Sequence, residues 1–194
     1  MTRPVAVAIT GGIGAGKSEA LKAFARHGAA TVSSDEIVHE LLQHDEVRDA
    51  VVERLGQGVV APDGSLDRGA IATVVFNDPR ALARLEELLH PLVSAEYLRW
   101  REQLAQLPRP PLVCVTEVPL LYEVGSDLQF DKVVVVTAPA EIRRERSEAA
   151  VKEREQRLLP DAEKVERADY AYVNAGSLGE LDAFVAGVME DLGS

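Results

Sequence analysis

Val5-Ala6-Val7-Ala8-Ile9-Thr10-Gly11-Gly12-Ile13-Gly14-Ala15-Gly16-Lys17-Ser18 is the stretch on which the fold turns. Its first five residues form an apolar run with β-branched Val5, Val7 and Ile9, closed by glycines. Such a run reads as a strand buried on both faces, the signature of a parallel sheet. The eight residues from Gly11 satisfy G-x-x-x-x-G-K-[ST] at every fixed position. Glycines there let successive backbone N–H groups turn inward around phosphates, and the helix that follows adds the partial positive charge of its N-terminus. Lys17 supplies an ammonium group to the outer phosphates and Ser18 a hydroxyl ligand for magnesium. Gly12, Ile13, Gly14, Ala15, Gly16, Lys17, Ser18 and Glu19 are therefore expected to hold a purine nucleoside triphosphate, ATP, with Mg2+.

Working outward, Glu19 to His27 places Ala20, Leu21, Phe24 and Ala25 on one helical face before Gly28 stops the turn. A second short strand, Thr31-Val32, leads to Ser33-Ser34-Asp35, where Ser34 or Asp35 is expected to cap a helix carrying Ile37, Val38, Leu41 and Leu42. Further buried strands are expected from Leu112 to Thr116, Lys132 to Thr137 and Tyr170 to Val173, with a packing helix from Leu178 to Leu192. Strands interleaved with helices predict an α/β layered fold. Residues 45–108 read as mostly helical, with Val93, Tyr97, Trp100, Leu104 and Leu107 marking one amphipathic face, either core or pocket wall. Residues 139–168 are dense in Arg, Lys and Glu, and fit either a solvated helical face or a basic lid over phosphates.

A chain of 194 residues suits one domain with insertions rather than two independent domains. The formal net charge of −11 repels polyanions over most of the surface, which argues against nucleic acid and anionic membranes and for a small, locally held anion. The one cysteine, Cys114, lies in an apolar run and reads as a buried thiol, so no disulfide framework is expected. No run of eighteen apolar residues occurs, and a cytoplasmic protein, favoured as a monomer, is the expectation.

A phosphate-binding loop fits kinases, GTPases, motor-like ATPases and nucleotide-sensing switches alike. The guanine-reading Asn-Lys-x-Asp motif is absent from the sequence, which argues against a GTPase. Asp35 follows the second strand, at the edge where ligands of doubly wound sheets gather. A carboxylate there suits the base that takes a proton from an attacking hydroxyl, though a plain helix cap explains it too.

The series Thr10 to Ser18, Ser33 to His39, Leu66-Asp67-Arg68, Val75-Phe76, Leu85-Glu86 with His90-Pro91, Glu117 to Glu123, and Ala168-Asp169 with Asn174 and Gly176 resembles the dephospho-CoA kinases from end to end. The resemblance implies a three-layer P-loop kinase fold, a parallel sheet flanked by helices. It has a core of 1–44, 110–137 and 168–194, a helical acceptor-binding insertion over about 45–108 and a short lid over about 139–164. It implies transfer of the ATP γ-phosphoryl group to the ribose 3'-hydroxyl of dephospho-CoA, giving CoA and ADP. Asp35 would be the base, assisted by Lys17 and by Arg154 from the lid. Arg68, His90, Glu117 and Leu121 would join Asp35 at the acceptor, and Asn174 and Ala175 would lie near the adenine. Taken alone, Arg68 reads as a surface ion pair and His90 as a helix-terminal cap. The sequence departs from the family in Ser33 for the first Asp of Asp-Ala-Asp, in Glu117 for Asp, and in a shorter lid with Leu158 for a glutamine, which leaves Arg143, Arg146 and Arg154 as the candidates to cover the phosphates. A different small-molecule kinase of this build and a non-catalytic nucleotide sensor remain as alternatives.

Overall fold

The computed structural model describes residues 3–146 and 158–193. Five strands, β1 (Val5–Thr10), β2 (Ala30–Ser33), β3 (Val113–Glu117), β4 (Lys132–Thr137) and β5 (Tyr170–Val173), form one sheet in the order β2-β3-β1-β4-β5. Every pairing is parallel. The chain divides into two compact units, one of Met1–Ser33 with Arg101–Ser194 and one of Ser34–Trp100.

The first unit holds the sheet. Because side chains alternate faces along a strand, Val7, Ile9, Val134 and Val136 enter one buried cluster, while Ala8, Val133 and Val135 enter another. The first cluster is closed by α1 (Lys17–Arg26) through Phe24 and by the C-terminal helix Leu178–Leu192 through Leu181, Val185 and Val188. Ser177 and Glu180 cap that helix reciprocally, which fixes where it starts. Among the described residues, α6 (Ala140–Arg146) and α7 (Asp161–Arg167) lie between β4 and β5, and the C-terminal helix is α8. The charge-rich stretch that carries them is not wholly solvated. Lys164 is completely buried, with its Nζ 2.7 Å from Glu123 Oε1.

The second unit is helical: α2 (Ser34–Leu41), α3 (Asp45–Leu55), α4 (Arg68–Asn77) and most of α5 (Pro79–Ala105). Val51, Val59, Ile71, Leu85 and Leu89 form its core. Asp67 caps α4 by accepting the N–H groups of Gly69 and Ala70. Of the stripe on α5, Tyr97 is buried and shares a hydrogen bond with Ser94, whereas Leu107 lies past the helix end and is exposed.

Two sequence expectations shift. Ser34 and Asp35 fall inside the first turn of α2 rather than ahead of it as caps. β3 runs one residue later than expected, leaving Leu112 exposed and taking in Glu117 as its last residue. Among the described residues, no helix is long and apolar enough to cross a membrane.

Candidate active site

The loop after β1 is shaped by its neighbours as much as by its own sequence. Gly11 has φ 141°, and a Cβ there would stand 1.9 Å from the Val136 carbonyl oxygen of β4, so the close approach of these strand ends requires glycine. Gly16 is the residue before α1, in the left-handed region, and no side chain caps the helix. The first N–H groups of α1 are thus left for an anion, where the helix dipole favours negative charge. Lys17 Nζ donates to the carbonyl oxygens of Gly11 (3.2 Å) and Gly12 (3.0 Å), which folds the ammonium back over the loop.

Two residues distant in sequence complete the cradle. Asn174, buried just beyond β5, donates from Nδ2 to the Ala15 carbonyl at 2.8 Å, while its N–H donates to Thr137 O at 2.7 Å. It braces the loop from below. Glu117 ends β3, is 8% exposed, and its Oε1 accepts from the Ser18 hydroxyl at 3.4 Å. Its backbone pairs in register with Ile9 on one side and Ser33 on the other. A hydroxyl and a carboxylate therefore converge where β1 and β3 end, an all-oxygen pair of the kind a hard divalent cation takes alongside phosphate oxygens.

With that geometry in view, comparison with known proteins decides the family. The family model described as dephospho-CoA kinase matches residues 5–180. The chain belongs to the dephospho-CoA kinase family. A dephospho-CoA kinase of Symbiobacterium thermophilum is 41% identical over 187 residues, covering 92% of this chain and 77% of the relative. The crystal structure of TT1252 from Thermus thermophilus is 31% identical, with a TM-score of 0.79, and covers 98% of this chain and 99% of that one. The dephospho-CoA kinase from Campylobacter jejuni shares the fold at a TM-score of 0.72 and 23% identity, covering 96% of each chain.

In this dephospho-CoA kinase family member the remaining expected residues fall as follows. Ala15 is buried, so only its backbone faces a ligand, and Glu19 pairs with Lys22 at 2.7 Å on the surface of α1. Ala175 is exposed beyond Asn174. Leu121, expected at the acceptor, is instead fully buried among Ala8, Val118, Tyr122, Val133 and Val135, so its side chain packs the core. Arg154 lies outside the described residues.

Within the second unit, Asp35 is the exposed second residue of α2, and His39 follows one turn later. Arg68, first in α4, approaches His39 with Nη1 and Nδ1 3.3 Å apart. Both line a cavity of about 510 Å³ that also receives Arg48, Gln43 and Ser65. Exposed His90, on α5, does not line it. His39, which the sequence reading did not single out, stands four residues after Asp35 on the same helix.

Proposed function

We propose that this chain transfers the γ-phosphoryl group of ATP to the 3'-hydroxyl of the dephospho-CoA ribose, giving CoA and ADP, with Asp35 as the base. Dephospho-CoA kinase activity follows from the family. The observation that carries it is the convergence of the phosphate loop, Lys17 and the Ser18–Glu117 pair where β1 and β3 end. Ser18 and Glu117 would hold Mg2+ together with the nucleotide, and the ion would neutralise phosphate charge. Lys17 screens the outer phosphates, and Asn174 keeps the loop carbonyl of Ala15 from turning into the cradle.

Asp35 follows the end of β2 by two residues in the sequence. A carboxylate that follows such a strand is suited to accept the hydroxyl proton and hold the oxygen in line. Arg68 and His39, together at the mouth of the second unit's cavity, offer cationic and hydrogen-bonding groups to the anionic acceptor. Arg154, Ala175 and His90 are retained as contributors to this site on family resemblance. The fold also serves other acceptors, so the test compares them. In a coupled assay of ADP release, dephospho-CoA should be turned over and shikimate, gluconate and nucleosides should not. Asp35→Asn should reduce turnover at least a hundredfold, the lower range of general-base contributions being about 10²-fold, with ATP affinity kept. Undiminished turnover by Asp35→Asn would remove it as the base.

A further inference from the structure

Gly12 occupies a free position of the phosphate-loop pattern, so the pattern gives no reason for glycine there. The structure shows which side chains lie against it. A Cβ on Gly12 would stand 2.7 Å from Arg143 Nη1 and 3.2 Å from Asp161 Oδ1. The guanidinium comes from α6 and the carboxylate from the first residue of α7. Their own ion pair is long, at 3.8 Å, with side chains 19% and 28% exposed.

Asp161 sits on a firm mount. Three residues along α7, buried Lys164 has its Nζ 2.7 Å from Glu123 Oε1, and the same oxygen accepts the Leu159 N–H at 3.0 Å. Separating a buried lysine from its carboxylate is costly, so the start of α7 is held to the segment after β3. The backbone that carries Asp161 is therefore anchored beside the segment after β3. The Asp161 carboxylate is also a negative charge beside a loop built for phosphates.

We propose that Asp161 competes with the bound nucleotide for Arg143: its carboxylate draws the guanidinium to a place beside Gly12, and a phosphate of the nucleotide takes it over. A guanidinium engages phosphate oxygens through two parallel N–H donors, which makes phosphate the stronger partner than a single carboxylate oxygen at long range. Asp161 thus sets where Arg143 waits and weakens nucleotide binding by competing for it. The inference rests on the donor-site reading above.

Calorimetric titration of the full chain with ATP, in Asp161→Asn, Arg143→Gln and the double variant, tests it. Asp161→Asn should tighten ATP binding roughly two- to fivefold, the size of a long, partly solvated ion pair. That gain should vanish when Arg143→Gln is also present, and the KM for dephospho-CoA should stay unchanged. Unchanged or weaker binding in Asp161→Asn, or the same gain without Arg143, would overturn the proposal. Melting temperatures recorded alongside identify any folding defect, in which case Asp161→Ser is read instead. Lys17→Ala separates the two readings: if it binds ATP as well as the unaltered chain, the donor site itself is misplaced.

Discussion

At the scale of single residues, the environment decides which side chains react and which only pack. Cys114 stands on a buried strand between Val113 and Val115, and burial pushes its thiol up to about 11. At pH 8 it is almost wholly protonated, and the thiolate is the nucleophile. The native chain should therefore resist a thiol reagent such as Ellman's that labels it at once in denaturant; rapid native labelling would contradict this placement. Tyr122 shows the same cause, its phenol raised by desolvation beneath Arg167, whose guanidinium lies 4.1 Å from the ring centroid. Lys17 and Ser18 were legible from sequence because their chemistry depends on neighbours within one loop. Leu121 belongs to a local motif, but its burial is set by β1 and β4.

At the scale of elements, strand ends bring the loop its supports. Asn174, just beyond β5, donates from Nδ2 to the Ala15 carbonyl, 159 positions away in sequence. Replacing a buried donor leaves an unsatisfied carbonyl, so Asn174→Ala should cost about 1–3 kcal/mol of stability. It should also weaken ATP binding more than dephospho-CoA binding, because the loop it braces serves the nucleotide. Denaturant melts and calorimetry with each ligand would check both halves; equal loss for both ligands would point to general softening. The start of α2 taught a similar lesson. Ser34 and Asp35 are both good caps, and only backbone geometry put them inside the first turn.

At the scale of the whole molecule, 32 acidic and 21 basic residues leave a net charge of −11, and specific pairs must hold elements together against that excess. Asp182 on α8 is one such point, accepting from Arg26 at 2.6 Å and lying 3.0 Å from His27 Nε2, both near the end of α1. The Arg26 hydrogen bonds, then that of His27, hold its carboxyl below the usual range. A folded pKa below the unfolded value means stabilisation that is present above the unfolded value, about 3.9 for Asp, and lost as pH falls through the folded one. Asp182→Asn should lower the melting temperature at pH 7, and the gap should close once pH falls below the folded value. A gap that persists at acid pH would mean Asp182 acts through packing instead.

The sequence by itself determined the phosphate loop, the buried strands and the C-terminal helix, because each is written in residues a few positions apart and in periods of two or 3.6. It also carried the family, since the motifs run the length of the chain. Only tertiary structure decided the strand order β2-β3-β1-β4-β5, the approach of Val136 that makes Gly11 obligatory, and the Ser18–Glu117 pair. It alone placed Arg143 and Asp161 on Gly12, and buried Lys164 in a stretch whose composition reads as solvated. Each of these joins groups from separate elements, and their energies come from desolvation and close packing, which no local pattern records.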